Sequence, residues 1–297
     1  MNAGKVKLGI APIGWTNDDM PELGGHIAFE QCVSEMALAG YEGCEVGRKF
    51  PKGPEVLLPA LNLRHLRICN AWFSAYLTTR PLEQNINAFR AHCGFLNVVG
   101  AKVVGISEQG GSIQGDKSMP VFERKPVFGQ TEWDLLFDGV RALSACAAEY
   151  GITLTYHHHM GTGVQTTEET RRLLDGTDPT DLGLLYDTGH FALSGEDPAA
   201  ALEEFLPRVK HVHLKDVRAD VAVRVRNNGM SFLDAVRAGV FTVPGDGSID
   251  FKPMFDQLDR AGYTGWMVVE AEQDPAKANP LEYAIKGRRY LSQNTGL

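Results

Sequence analysis

Residues 131–188 read TEWDLLFDGVRALSACAAEYGITLTYHHHMGTGVQTTEETRRLLDGTDPTDLGLLYDT, and this stretch decides the fold. It predicts an amphipathic helix from Thr131 to Tyr150, followed by the β-rich run GITLTYHHH. A second helix is predicted from Thr166 to Asp175, and the apolar run LGLLYDT comes after it. Strands that alternate strictly with helices pair in parallel, because each helix carries the chain back to the same end of the sheet. The stretch therefore predicts β/α units.

The same alternation extends to both ends of the 297-residue chain. Further β-rich runs occur before and after this stretch, and a terminal helix is predicted from Asn279 to Leu291. These runs are VKLGIA (6–11), CEV (44–46), HLRICNAWF (65–73), AKVVGIS (101–107), VKHVHLKD (209–216) and WMVVEAE (266–272). Eight strand-like runs, each followed by a helix, predict a closed (β/α)8 TIM barrel of the α/β class. Because no linker divides the chain, we predict one domain over residues 1–297.

Two long segments exceed what a minimal barrel requires. They are Gln109–Gln130 and Val217–Gly247, both rich in glycine and charge, and they follow the fourth and seventh predicted strands. Loops that follow barrel strands emerge at the carboxyl-terminal mouth, where barrel enzymes bind their substrates. We therefore expect both segments to surround an active site.

Composition and charge exclude several classes of protein. The chain has 29 Lys+Arg against 37 Asp+Glu, a net charge of −8, which argues against binding to a nucleic acid backbone. No apolar run approaches the ~18 residues of a membrane span, and the first residues lack a signal-peptide pattern, so we expect a cytoplasmic protein without a membrane partner. The five cysteines are widely spaced, which favours buried reduced thiols: Cys32, Cys44, Cys69, Cys93 and Cys146.

Histidine and carboxylate residues gather at the ends of the last four predicted strands. Asp187, His213 and Glu270 end three of them, and the triplet His157–His159 ends the fifth. One histidine at a strand end is commonly structural, and one carboxylate there commonly caps the next helix. Four such ends facing one another across a barrel mouth favour a site for Mn(II), Co(II), Fe(II) or Zn(II). Strand alternation places His157 and His159 on one face and His158 on the other, and the pattern leaves the liganding histidine open.

These runs resemble the sugar isomerase, epimerase and dehydratase barrels related to xylose isomerase and endonuclease IV. The shared elements here are YHHHMGT (156–162), Asp187-Thr188-Gly189-His190, the run from His211 to Asp216, and Glu270. Within that group the chain resembles the inosose dehydratases of myo-inositol catabolism over essentially its whole length. That closer similarity rests on GWTNDDMPELGG (14–25), YEGCEVGRKFP (41–51), YHHHMGTGVQT (156–166), LLYDTGH (184–190) and HVHLKDVR (211–218).

The resemblance implies a metal set and a reaction. Relatives in the wider superfamily usually carry Glu on the fifth strand, where this chain has His157, so the implied ligands are His157, Asp187, His213 and Glu270, with His159 as the alternative. The implied metal is Mn or Co, with Zn, Fe and Mg as alternatives, and glutathione is a further implied cofactor. The implied reaction removes water from the polyol ketone 2-keto-myo-inositol to give a trihydroxycyclohexane-1,2-dione.

Such a dehydration requires a general base and a general acid beside the bound ring. The candidates are His159, Lys215, His190 and Glu272, without an assignment of acid or base. Lys215 beside a metal cation is expected to have a lowered pKa, because a like charge disfavours its protonated form. The competing interpretation of Lys215 is a structural salt bridge.

Residues after the first three strands are the candidates for substrate contacts. Trp15 and Trp72 are candidates for the apolar contacts, Trp15 stacking on the C–H face of the ring and Trp72 forming a wall. The polar candidates for the ring hydroxyls are Asn17, Asp18, Asp19, Glu45 and Arg48. The competing interpretation of Asp18 and Asp19 is a helix cap and a surface turn.

Two other functions remain as alternatives at this point. A sugar or inosose isomerase or epimerase would use the same metal barrel but return the proton, and a non-enzymatic sugar-binding barrel would keep only the polar loops. A repair nuclease is disfavoured by the acidic net charge. The sequence leaves a homo-oligomer open.

Overall fold

The fold is built on a nine-stranded sheet in which every strand pair is parallel. A computed structural model describes residues 1–2 and 4–297. The strands follow the order β3-β2-β1-β11-β8-β7-β6-β5-β4, with β9 and β10 forming a separate antiparallel pair. Their bounds are β1 Val6–Ile10, β2 Gly43–Glu45, β3 Arg67–Asn70, β4 Trp72–Ala75, β5 Val103–Glu108, β6 Thr153–His157, β7 Gly183–Asp187, β8 Val209–Leu214, β9 Asp216–Val217, β10 Phe241–Thr242 and β11 Gly265–Val269.

The predicted barrel is confirmed, with one difference in its third strand. HLRICNAWF was expected to be one strand, but it is broken at Ala71 into β3 and β4. The break lets β3 pair with β2 on one side while β4 pairs with β5 on the other, so the sheet curls into a nearly closed barrel. The predicted fifth to eighth strands are therefore β6, β7, β8 and β11.

Helices surround the sheet and bury their apolar faces against it. Sequence signals set several of their ends: Thr166 and Glu169 form a capping box at the start of α5, and Gly100 ends α3 at φ 85°. The helices are α1 Phe29–Leu38, α2 Pro54–Asn62, α3 Leu82–Val99, α4 Gln130–Ala148, α5 Thr167–Asp175, α6 Thr188–Ser194, α7 Pro198–Phe205, α8 Ala219–Asn227, α9 Phe232–Arg237, α10 Lys252–Arg260 and α11 Pro280–Thr295.

The two long segments follow β5 and β8. Residues 109–129 are irregular, as expected, but Val217–Gly247 is more ordered than its glycine and charge content suggested, because it contains α8, α9 and the β9–β10 pair. These two helices share a second apolar cluster with residues from the loops after β1, β5 and β6, among them Met20, Val121 and Met160. The long segments thus pack on one another.

One expectation from composition is met in the described part of the chain. All five cysteines are free and buried, as core packing predicts. No helix among the described residues is both long and apolar enough to span a membrane.

Candidate active site

Four strand ends bring a cluster of histidine and carboxylate side chains together. Nε2 of His157 (β6) lies 3.3 Å from Oδ2 of Asp187 (β7). Nδ1 of His213 (β8) lies 3.5 Å from the same oxygen and 3.4 Å from Oε2 of Glu270, which follows β11. His190 is also close, since one atom each from His157, Asp187, His190 and Glu270 lie within 4.8 Å of one another. The predicted residues therefore converge on one point.

Asp187 has two roles, one for each of its carboxylate oxygens. Oδ1 accepts a hydrogen bond from the backbone N–H of His190 at 2.9 Å and so caps α6. Oδ2 faces His157 and His213. Both interpretations of a strand-end carboxylate, the cap and the site residue, therefore apply to this fully buried side chain.

The His157–His159 triplet divides as strand alternation predicts. His157 and His159 line a cavity at the barrel mouth. His158 lies behind the site, where its Nε2 accepts the backbone N–H of Asp187 at 3.1 Å and its ring stacks on Phe191 with a centroid separation of 3.6 Å. His158 thus has a structural role.

Lys215 is fully buried among acidic side chains. Its Nζ lies 2.6 Å from Oε2 of Glu270, 2.8 Å from Oε1 of Glu272 and 3.7 Å from Oδ2 of Asp187, and it also contacts Nε2 of His190 at 3.0 Å. Burial lowers the pKa of Lys215, but the three carboxylates outweigh it and raise this pKa. A lowered pKa was expected from the sequence because a metal cation was assumed beside Lys215. The carboxylates of the protein itself instead raise the pKa of Lys215.

The same group of charges shifts the pKa values of its neighbours. Burial lowers the pKa of His213, but Glu45 and Glu270 outweigh burial and hold it well above the usual value. Burial raises the pKa of Glu272 to about 7; Lys215 opposes this shift and Glu270 adds to it. Burial, with His157 and Lys215, holds the pKa of His159 well below its usual value. The site thus favours positive charge at His213 and a neutral imidazole at His159.

A cavity of about 250 Å³ lies above this cluster. Five carboxylate residues line it, and none of the described residues around it is Lys or Arg. The acidic residues are Asp18, Asp19, Glu45, Glu270 and Glu272, and the other polar and aromatic ones are Asn70, Trp72, Ser74, Gln114, His157, His159 and His213. The cavity therefore suits a small, uncharged ligand rich in hydroxyl groups.

Three predicted substrate contacts are corrected by their positions outside this cavity. Trp15 is buried in the core, and its Nε1 donates to Glu35 at 2.6 Å. Asn17 is buried in a turn, where its Oδ1 accepts the backbone N–H groups of Asp19 and Met20. Arg48 is exposed and does not line the cavity, although its backbone N–H donates to Asp18, which does, at 3.3 Å.

The sequence interpretation missed three polar residues in the cavity wall: Asn70, Ser74 and Gln114. Gln114 lies in the segment 109–130 that was expected at the mouth, and its Nε2 donates to Oδ2 of Asp19 at 2.8 Å. The predicted position of that segment at the barrel mouth could therefore have identified Gln114 as a candidate cavity residue. Asn70 and Ser74 flank the strand break at Ala71, which the sequence did not reveal.

Comparisons with known proteins agree with this architecture. The fold and the strand-end cluster define the class, and the family described as Xylose isomerase-like TIM barrel matches residues 33–294. The probable 3-DHS dehydratase AsbF of Bacillus anthracis has the same fold, with a TM-score of 0.74 at 17% identity over 96% of this chain and 98% of that one. The IOLI protein, solved with a binding zinc atom, gives a TM-score of 0.70 at 16% identity over 98% of both chains.

A much closer sequence relative identifies the family. The inosose dehydratase of Geobacillus thermodenitrificans is 63% identical over 293 residues, which cover 99% of this chain and 98% of that protein. The chain therefore belongs to the inosose dehydratase family of xylose isomerase-like TIM barrels, and it is an enzyme of the hydro-lyase class.

Proposed function

We propose that this dehydratase removes water from 2-keto-myo-inositol to give a trihydroxycyclohexane-1,2-dione, with a divalent cation bound at the strand ends. The observation that carries this proposal is the lining of the 250 Å³ cavity: five carboxylates and no Lys or Arg among the described residues, next to a histidine and carboxylate cluster. Apart from the proposed cation at the strand ends, the cavity wall offers no cationic side chain to pair with a phosphorylated or carboxylated substrate. The hydroxyl groups of a neutral ring could donate hydrogen bonds to the carboxylate oxygens that line this cavity.

The chemistry of the donor set fits a divalent metal. Nδ1 of His213 is buried without a hydrogen-bond partner although two carboxylate oxygens face it, an arrangement that a shared cation stabilises. The residues that would hold the cation are His157, Asp187, His213 and Glu270. We prefer His213 to His190 because Nδ1 of His213 lies 3.5 and 3.4 Å from the Asp187 and Glu270 oxygens that would share the cation. Imidazole and carboxylate together suit Mn(II), Co(II), Fe(II) or Zn(II), and Mn or Co is our first choice.

When bound, such a cation supplies Lewis acidity that acidifies the proton α to the ketone and stabilises negative charge on the ketone oxygen. The proton transfers are left to the protein. Of the four candidates, only His159 and Glu272 line the cavity. Nδ1 of His159 lies 2.8 Å from the carbonyl oxygen of Met160 and must donate to it, so Nε2 is the nitrogen with a lone pair. We therefore assign the general base to His159 Nε2.

Glu272 is then the general acid. In the proposed reaction, the C–H electron pair forms a carbon–carbon double bond as His159 takes the α proton. The bond from the neighbouring carbon to its hydroxyl breaks, and the Glu272 carboxyl protonates that hydroxyl so that it leaves as water. The resulting enol tautomerises to the dione. Lys215 lies behind Glu272 and donates to it at 2.8 Å, and His190 in turn holds Lys215 through a 3.0 Å contact between its Nε2 and the lysine Nζ.

The cavity wall would orient the ring. Trp72 stands edge-on to the His157 and His159 rings, with centroid separations of 5.4 and 5.7 Å, and forms the apolar wall. Asp19 and Gln114, which are joined by a hydrogen bond, provide acceptors and donors for ring hydroxyls from two different loops.

Product identity tests this function directly. Wild-type protein is incubated with 2-keto-myo-inositol and Mn(II) or Co(II), and the products are measured by mass spectrometry. The proposal predicts a product about 18 mass units lighter, from the loss of one water. When the assay is repeated in D2O, recovery of sugar that has lost no water but is about one mass unit heavier for each deuterium taken up would contradict the proposal and would favour an isomerase or epimerase.

A further inference from the structure

We infer that Glu45 is a positioning residue for His213, because it fixes which ring nitrogen of His213 faces the metal-binding cluster. This inference rests on the proposed function, since it takes His213 as a ligand of the cation. Glu45 ends β2, on the opposite side of the barrel mouth from Asp187, and only 8% of its surface is exposed.

One oxygen of Glu45 is surrounded by three donors. Oε1 lies 2.8 Å from Nε2 of His213, 3.3 Å from Nε2 of His211 and 2.8 Å from Nδ2 of Asn70. A carboxylate can only accept hydrogen bonds, so each of these nitrogens presents a hydrogen to it. Nε2 of His213 therefore carries a hydrogen in every protonation state of the ring, and Nδ1 is the nitrogen that faces the cluster.

The Glu45 carboxylate is itself held in one orientation. The side-chain oxygen of Asn70 accepts the backbone N–H of Gly105 at 2.8 Å, which leaves only the amide nitrogen of Asn70 to face Glu45. Asn70 ends β3 and Gly105 lies within β5, so two strands fix the amide and the amide fixes the carboxylate. Glu45 is thus oriented without any help from substrate.

The consequence lies on the other side of the His213 ring. Nδ1 points at Oδ2 of Asp187 and Oε2 of Glu270, at 3.5 and 3.4 Å. With Nε2–H committed to Glu45, Nδ1 is the nitrogen that gives up its proton when a cation binds, and its lone pair is then directed at the point where those two carboxylates converge. A carboxylate behind a liganding histidine fixes the ring and makes it more basic, and losing such a partner typically weakens metal binding by 10–100-fold.

Metal affinity in the absence of substrate separates this role from a substrate contact. Isothermal titration of metal-stripped protein with Mn(II) is compared for wild type, Glu45→Gln and Glu45→Ala. The expected result is about 10-fold weaker binding for Glu45→Gln, which keeps an acceptor oxygen, and up to about 100-fold for Glu45→Ala. The visible spectrum of bound Co(II), which depends on ligand number and geometry, is expected to change in both variants.

Glu108→Gln is the matched control. Glu108 is another buried strand-end carboxylate, but it accepts hydrogen bonds from Leu77, Thr78 and Gly110 and has no contact with the cluster. Its Mn(II) affinity is expected to equal that of wild type. If neither Glu45 variant folds, Asn70→Ala keeps the carboxylate but frees it from its tether, and a several-fold loss of affinity is expected.

The outcomes distinguish the two proposals. Wild type that binds no Mn(II) would overturn the proposed metal function and this inference with it. If wild type binds Mn(II) and the Glu45 variants bind it with the same affinity, the inference alone is overturned. The same holds for Asn70→Ala where it replaces the Glu45 variants. A raised KM for the ketone at unchanged Mn(II) affinity would return Glu45 to a substrate-binding role.

Discussion

Asp187 provides a test in which helix capping and metal binding are separated by two substitutions. Asn at this position keeps an oxygen that caps α6. Its neutral amide nitrogen then replaces the carboxylate oxygen that faces His157 and His213. Ala removes both functions. Without metal, we expect Asp187→Ala to be less stable than Asp187→Asn by about 1 kcal/mol, the usual value of a cap. For a chain of this size, that corresponds to about 2 °C in the melting temperature.

Added Mn(II) measures the other function of Asp187. At a concentration of about 100 times the wild-type Kd, ligand binding stabilises the folded state by about 2.7 kcal/mol. Loss of one charged ligand is expected to weaken binding at least as much as loss of an outer partner, about 100-fold, which leaves about 0.4 kcal/mol at the same concentration. Both Asp187 variants should therefore lose nearly all of the metal-induced shift.

The assay is thermal unfolding of stripped protein with and without Mn(II), and Asp197→Ala is the control. Asp197 caps α7 by accepting from Ala199 and Ala200 and takes no part in the cluster. This control should lose about 1 kcal/mol of stability but keep the full shift with Mn(II). An Asp187→Asn protein that keeps the wild-type shift would refute the ligand assignment, and equal stability of the two Asp187 variants without metal would refute the capping role.

Three further substitutions test the assigned roles. His159→Gln is expected to lower kcat by about 10²–10⁴-fold and to abolish exchange of the α proton with D2O, while Mn(II) affinity stays the same. Glu272→Gln is expected to lower dehydration to a similar extent yet still exchange the α proton, because the base remains; a loss of exchange as well would speak against the split of acid and base. Gln114→Ala is expected to raise KM for the ketone by about 10-fold with little change in kcat, as for a lost hydrogen bond to a ring hydroxyl, and an unchanged KM would remove Gln114 from the binding wall.

The features that the sequence predicted well are those with a repeating pattern. The alternation of β-rich and amphipathic runs identified the barrel, and the ends of β6, β7, β8 and β11 identified where His157, Asp187, His213 and Glu270 meet. Barrel geometry forces successive strand ends to one mouth, so position along the chain was sufficient. The facing of His158 away from the cavity likewise followed from the two-residue period of a strand.

The features that the sequence did not predict depend on contacts between distant residues. Trp15 after a strand end has the same local pattern whether it stacks on a ligand or, as here, donates to Glu35 inside the core. Asn17 likewise satisfies its own turn. The role of Glu45 depends on His213, which lies 168 positions away, and no local pattern encodes that pairing.

The most direct test of the central claim is the recovery of dehydratase activity as Mn(II) is added back to metal-stripped protein. The initial rate of water loss from 2-keto-myo-inositol is followed against the number of Mn(II) ions added per chain. One strand-end site predicts a negligible rate without metal and a linear rise that levels off at one equivalent. A full rate in the presence of a strong chelator, or recovery that needs several equivalents, would contradict the account.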